Sequence, residues 1–169
     1  MISNASVPAF VSVIGSSRCG PEVDQLAEKA GRLLAAAGFA IVCGGGGGVM
    51  EAACRGAARA GGVTIGILPG SDTQAANPFV RFPIATGIGE ARNAIVVRAG
   101  GAILAIGGGY GTLSEIALAL KWGKPVIGLQ TWEARDGSGQ PAGIEYCSTA
   151  EEAVTRLRAI IFPEYSDGG

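Results

Sequence analysis

The chain contains no histidine, which removes the commonest general base and the commonest metal ligand together. A zinc site or a Ser-His-Asp triad is thereby excluded, and no metal site is expected. Charge is sparse as well: charged residues make up 16% of the 169 positions, against 48% hydrophobic. So little of the surface can be a solvated coat. That balance suits a sheet covered on both faces, and an oligomer that hides further apolar area. Lys plus Arg (13) nearly cancels Asp plus Glu (14). The basic residues are scattered, and no polybasic run points to DNA, RNA or an anionic membrane. Long hydrophobic runs are missing too, since glycine or charge interrupts each one short of membrane-spanning length. Met1 to Phe10 lacks the basic start and apolar core of a signal peptide. Cys19, Cys43, Cys54 and Cys147 show no C-x-x-C pairing. They are expected as free thiols in a cytoplasmic protein, behaving as small buried hydrophobes.

What is present is glycine, 29 of it, gathered between apolar runs. Strand-like runs recur at Phe10–Ile14, Phe39–Cys43, Val63–Leu68, Gly101–Ile106 and Pro125–Leu129, with Arg81–Ala85 a weaker candidate. Helical patterns lie between them: Glu22–Ala37, Val49–Ala60, Glu90–Ala99, Thr112–Trp122 and Ala150–Ile161. Several stop at glycine, as C-terminal caps do, and the last opens on Ser148-Thr-Ala-Glu151, a capping-box pattern. Strands alternating with helices predict an α/β fold: one doubly wound, mainly parallel, Rossmann-like sheet in a single domain over 1–169. Residues 130–147 read as an excursion loop and 164–169 as a flexible tail.

In such sheets ligands bind beyond the carboxyl ends of the strands, where the glycine clusters fall. Gly107-Gly-Gly-Tyr-Gly-Thr112 joins a buried strand to a helix start, so its amides point at the positive end of a helix dipole. A phosphorylated small molecule is the expected partner. Gly108, Gly109, Tyr110, Gly111 and Thr112 are candidate contacts, with Tyr110 either stacking on a flat ring or shielding the loop. Gly45, Gly46 and Gly47 belong to a five-glycine run whose ordering costs entropy, which favours backbone approach to a ligand. That run does not fit G-x-G-x-x-G, because Val49 and Met50 fall where the third glycine should be. Gly15, Ser16 and Ser17 open a third loop. It lacks the lysine of a P-loop and carries Pro21-Glu22 instead, which argues against an ATPase.

Arg92 and Glu115 are the candidate catalytic pair. An arginine aimed into a glycine-lined pocket clamps phosphate bidentately, whereas Arg98 reads as a salt-bridging surface residue. Glu115 has two readings. Thr112-Leu-Ser-Glu115 is itself a capping box. Alternatively the carboxylate, kept ionised by the helix end, stabilises positive charge on a sugar carbon, and is then a poor general acid.

These residues together resemble a known family. Gly107-Gly-Gly-Tyr-Gly-Thr-Leu-Ser-Glu115 is similar to the P-G-G-x-G-T-x-x-E motif of the Lonely Guy (cytokinin-activating phosphoribohydrolase) family, once labelled lysine decarboxylase-like. Arg92, 23 positions before Glu115, falls on that family's essential arginine. Gly15-Ser-Ser and Gly44–Met50 match its other nucleotide-binding loops. Val49-Met-Glu-Ala, Gly66-Ile-Leu-Pro-Gly70, Pro83-Ile-Ala-Thr-Gly87 and Glu115-Ile-Ala-Leu-Ala-Leu-Lys121 resemble a small bacterial branch related to molybdenum cofactor carrier proteins. Departures exist: Gly107 stands for proline, Asn93 for the lysine after the arginine, and Ser114 for the first of two glutamates. Asn93 is kept as a candidate ligand contact.

The resemblance implies hydrolysis of the N-glycosidic bond of a nucleoside 5′-monophosphate, with no cofactor required. Glu115 and Arg92 would act there, and Glu90 is a weak second acid. It also implies two alternatives: a non-catalytic carrier of the molybdenum cofactor, or a nucleotide-sensing module. The enzyme is preferred, because a carrier has no evident need of a carboxylate beside a phosphate. Decarboxylation finds no support, since Lys29, Lys121 and Lys124 are the only lysines and none has a pyridoxal-phosphate setting. A homodimer or homotetramer is implied as well.

Overall fold

Phe10–Gly15 forms the first strand, β1, at the centre of a seven-stranded sheet. The computed structural model describes residues 9–163; the tail expected at 164–169 lies outside them. The further strands are β2 (Ala40–Cys43), β3 (Thr64–Leu68), β4 (Phe82–Ala85), β5 (Ala102–Ile106), β6 (Val126–Leu129) and β7 (Ile144–Tyr146). Their order is β4-β3-β2-β1-β5-β6-β7, and every pairing is parallel. The helices are α1 (Pro21–Ala36), α2 (Val49–Arg59), α3 (Asn93–Ala99), α4 (Tyr110–Lys121) and α5 (Ala150–Ile161). The α/β class and doubly wound sheet expected from the alternating pattern are present.

The period-two geometry of a strand sends successive side chains to opposite faces, and here both faces are dry. Val11, Val13, Ile41, Cys43, Leu104 and Ile106 enter a core shared with α1, α2 and α5. Ile14, Val42, Ile103 and Ala105 enter a second core beneath α3 and α4. Such double burial explains why the central strands read as apolar runs, broken only at the buried Ser12 of β1. The first core depends on close approach of α1 and α2. A Cβ on Gly31 would overlap the Ala53 carbonyl oxygen, and one on Gly56 the Glu28 carbonyl oxygen. Across the same seam Arg55 reaches Asp24 at 2.5 Å and Glu28 at 2.8 Å.

Four details depart from expectation. The stretch 130–147 holds β7, whose Ile144-Glu-Tyr signal was too short to stand out from the Gly- and Pro-rich turn before it. The helix expected over Glu90–Ala99 is divided into a 3-10 turn at Gly89–Arg92 and α3 proper. The cap of α5 is shifted by one residue: the Thr149 hydroxyl accepts the Glu152 N–H at 3.2 Å, and the Glu152 carboxylate accepts the Ser148 N–H at 2.9 Å. Arg98 forms no ion pair among the described residues, and its guanidinium lies 4.0 Å above the Trp122 ring. No helix among the described residues is long and apolar enough to cross a membrane.

Candidate functional site

From β1 the chain winds outward to β4 on one side and, starting again at β5, to β7 on the other. A crevice is left where the two directions part, at the carboxyl ends of β1 and β5. A cleft of about 360 Å³ opens there.

Its first wall is Gly15-Ser-Ser17. Gly15 is wedged so closely that a Cβ would stand 2.5 Å from Val49 Cγ1 and 2.6 Å from the Ile106 carbonyl oxygen. The Ser16 carbonyl accepts the Val49 N–H at 3.0 Å, tying this loop to the start of α2.

The second wall is the turn after β2, and only Gly44 of the five glycines lines the cleft. A Cβ at Gly44 would lie 2.5 Å from Arg92 Nη2, so a bare backbone there is what admits the guanidinium. Gly45, Gly46 and Gly47 form the turn behind it. Gly45 has φ 73° with its Cα side pressed on Leu68, a conformation that L side chains rarely adopt. Asn77 holds this turn and was not anticipated. Its backbone N–H donates to the Gly45 carbonyl and its side-chain amide to the Gly46 carbonyl, each at 2.9 Å. Asn77-Pro78 announces a turn, yet nothing in the sequence links it to a loop thirty residues earlier.

The third wall is the turn after β5 and the first turns of α4. The N-cap is Gly109, not Thr112, so helix and dipole begin earlier than expected. Gly109, Gly111 and Thr112 line the cleft; Gly108, at φ 128°, shapes the turn without lining it. Residues beyond β6 brace this turn: Thr131 Oγ1 donates to the Gly107 carbonyl at 2.6 Å and Trp132 Nε1 to the Gly109 carbonyl at 3.1 Å. Tyr110 points outward, 83% exposed, with its ring 5.7 Å from that of Trp132. It lines a neighbouring groove with Ser114 and Leu118.

Arg92, Asn93 and Glu115 all reach the cleft, as do Met50, Pro69 and Glu90. One Arg92 nitrogen donates to the Asn93 side-chain oxygen and Nη2 donates to the Gly44 carbonyl at 3.3 Å, while Nε is buried with no partner. Thr112, 2% exposed, likewise has a buried hydroxyl with no partner. Buried polar groups are nearly always satisfied, and an orphan costs its full desolvation. Both orphans belong to residues that line the one cleft.

Glu115 corrects two expectations. Thr112 sits inside α4 rather than capping it, so the capping box with Glu115 does not form. Nor is the carboxylate held firmly ionised. It is 7% exposed, and burial pushes its pKa up to about 7, with Arg92 pulling only partly the other way. No ion pair joins the two among the described residues. A carboxyl poised near neutrality can donate or accept a proton, so it is no longer a poor general acid.

Of the residues singled out from sequence, then, Gly15, Ser16, Ser17, Arg92, Asn93, Gly109, Gly111, Thr112 and Glu115 converge on one cleft. Gly45, Gly46, Gly47 and Gly108 support its walls, and Tyr110 stands beside it.

Residues 8–154 match the SLOG cluster4 family. An uncharacterized protein of Archaeoglobus fulgidus is 42% identical over 144 residues, 85% of this chain and 91% of the relative. Among solved structures, the molybdenum cofactor binding protein of Rippkaea orientalis is similar with a TM-score of 0.82 and 35% identity, over 93% of this chain and 99% of that one. The molybdenum cofactor carrier protein of Chlamydomonas reinhardtii gives a TM-score of 0.80 and 30% identity, over 92% of this chain and 99% of the other.

Proposed function

The chain belongs to the SLOG cluster4 family, and on that footing we propose that it is a binding protein for a phosphorylated pterin, with the molybdenum cofactor as its cargo. The observation that carries this reading is likeness over almost the whole chain to a molybdenum cofactor binding protein and a molybdenum cofactor carrier protein. This weighting reverses the preference for an enzyme taken from the Gly107–Glu115 motif.

The cleft fits such a cargo. The α4 N-terminus and the amides near Gly109 and Gly111 suit a terminal phosphate. The orphaned Thr112 hydroxyl and Arg92 Nε supply the hydrogen-bonding groups such a phosphate needs. Asn93 steadies Arg92, and the Gly15–Ser17 loop and Gly44 line the wall against which a flat ring would lie. Glu90 and Glu115, facing a single cation in the lining, suit the ring's N–H groups better than a second phosphate.

The test is retention. Purified protein is mixed with cofactor released from a molybdoenzyme, filtered, and assayed for bound pterin and for the cofactor's decay rate. Bound pterin and slower decay are expected. Decay at the free rate, with no pterin retained, overturns the proposal.

A second reading rests on one observation, the buried Glu115 with its pKa near 7. A carboxyl of that kind beside a nucleotide phosphate is what N-glycosidic hydrolysis of a nucleoside 5′-monophosphate requires. Release of free base from AMP by wild type, abolished in Glu115→Gln, would establish it. A cargo protein releases none.

The same reading places a homodimer or homotetramer in the cytoplasm. The four free thiols suit that compartment. Ile95, 42% exposed on α3 beside the Tyr110 groove, supplies apolar contact area. Sedimentation measures the assembly.

A further inference from the structure

Two buried thiols meet beneath the Gly44–Gly48 turn. Cys43 is the last residue of β2 and Cys54 lies in the middle of α2. Both are fully buried, and their sulfurs are 3.6 Å apart. Eleven positions separate them in sequence, so no spacing rule announces the pair. Cys43 Sγ also accepts the Gly45 N–H at 3.3 Å. That amide belongs to the turn whose first glycine faces Arg92 across the cleft wall. The sulfur therefore forms part of the underside of the ligand-facing loop.

We propose that Cys43 and Cys54 are an oxidation site for a small hydroperoxide, and that closing their disulfide deforms the Gly44–Gly48 turn and loosens the bound cargo. The loss of cargo rests on the function proposed above; the thiol chemistry and the deformed turn do not.

The two sulfurs are unequal. Cys43 ionises first, because its thiolate accepts hydrogen bonds from the Cys54 thiol and the Gly45 amide. The Cys54 thiol is held up, by donating that hydrogen bond and by burial. The thiolate is the nucleophile in such chemistry. The Cys43 thiolate attacks one oxygen of hydrogen peroxide: an S–O bond forms, the O–O bond breaks, and hydroxide leaves to take up the proton Cys43 had released, giving water. Cys54 sulfur then attacks the Cys43 sulfenic acid. The S–S bond forms, the S–O bond breaks, and the departing hydroxide takes the Cys54 proton as a second water. Two thiols lose two electrons in all, and one peroxide gains both.

Burial decides which oxidant serves. A molecule the size of hydrogen peroxide reaches sulfurs with no exposed surface on small fluctuations of the turn, whereas glutathione disulfide needs a wide opening. Closure draws the sulfurs from 3.6 Å to about 2.05 Å. It also shifts Cys43 Sγ, the acceptor of the Gly45 N–H, and so disturbs the turn at its anchor.

The full-length wild type is reduced, treated with hydrogen peroxide, quenched with catalase, alkylated under denaturing conditions and mapped as peptides. A linked peptide joining Cys43 to Cys54 is expected, with Cys19 and Cys147 alkylated and no link after glutathione disulfide. Alkylation of all four thiols, or sulfinic acid at Cys43 with Cys54 free, overturns the site. Amide exchange over residues 44–48 is expected to rise at least about tenfold on oxidation, as loss of one loop hydrogen bond implies. Unchanged exchange in protein shown to carry the link overturns the deformation.

Molybdenum cofactor is then offered to the quenched protein. Retention about tenfold weaker than in the reduced form is expected, restored by dithiothreitol and insensitive to peroxide in Cys54→Ala. Equal retention by both forms overturns the loosening. Reduced protein that retains no cofactor overturns the cargo instead, while the peptide map and amide exchange still decide the thiol pair.

Discussion

The α1–α2 seam and the α4 wall of the cleft lie on the same molecule and treat polar groups in opposite ways. At the seam charges meet their opposites: Arg55 meets Asp24 and Glu28, and Arg59 adds to Glu28. Glycines let the backbones touch. At the cleft, Arg92 Nε and Thr112 Oγ1 are buried without partners, and Glu115 is buried without a cation in contact. The seam is finished by the fold alone. The cleft is left unfinished by the same accounting, and the cargo proposed above, with its anionic end and polar ring edges, would complete it.

The strongest way to break this comparison is at the seam. Gly56→Ala places a methyl group against the Glu28 carbonyl, and neither backbone can yield without separating the helices. A loss of about 4 kcal/mol or more is expected, read as a collapse of the thermal midpoint. A midpoint within a few degrees of wild type would show that the seam is loose after all.

Arg92→Met tests the opposite side. Cofactor retention should fall by about a hundredfold, in line with removal of a charged phosphate partner. Stability should hold or rise, since a buried unpaired Nε disappears with it. Equal losses in binding and stability would make Arg92 a structural residue.

Glu115 sharpens the contrast through pH. Its folded pKa of about 7 lies above the ordinary 4.5, so the folded chain keeps the proton longer than the unfolded chain. The contribution to stability is fully present below pH 4.5 and is lost as pH rises through 7. Glu115→Gln should therefore gain on wild type above neutrality, by up to about 3 kcal/mol, with little difference in acid. Parallel stability–pH curves for the two proteins would refute the buried neutral acid.

The smallest expected effect is at the brace. Trp132→Phe removes the donor to the Gly109 carbonyl and should cost about 1 kcal/mol of stability and a few-fold in cofactor retention. A larger loss in retention would place the indole in the site itself.

Sequence made the sheet legible because both its faces are buried, so that β2 and β5 stood out as unbroken apolar runs between glycines, and β1 as one broken only at Ser12. It also singles out Arg92, Thr112 and Glu115, which line one cleft. What escaped is long-range or short. β7 is three residues beside a loop, and its place depends on pairing with β6. Asn77 and Cys54 acquire their roles only when α2 and the chain after β3 fold back on the Gly44–Gly48 turn. Glu115 misled in a different manner: T-x-x-E is a local pattern, but burial in the fold sets its proton affinity. Local rules read caps and strands, while the charge state of a buried acid belongs to the whole fold.

The hydrogen bond from Trp132 to the cleft's third wall has a practical corollary. The chain has two tryptophans. Trp122 lies beneath the Arg98 guanidinium, whereas Trp132 is joined to a glycine that lines the cleft. Arrival of a flat absorbing ring beside that glycine should dim or shift the Trp132 emission and leave that of Trp122 nearly constant. With the proposed cargo the protein would carry its own optical gauge of occupancy, with a built-in reference, and exchange could be timed without attaching a dye.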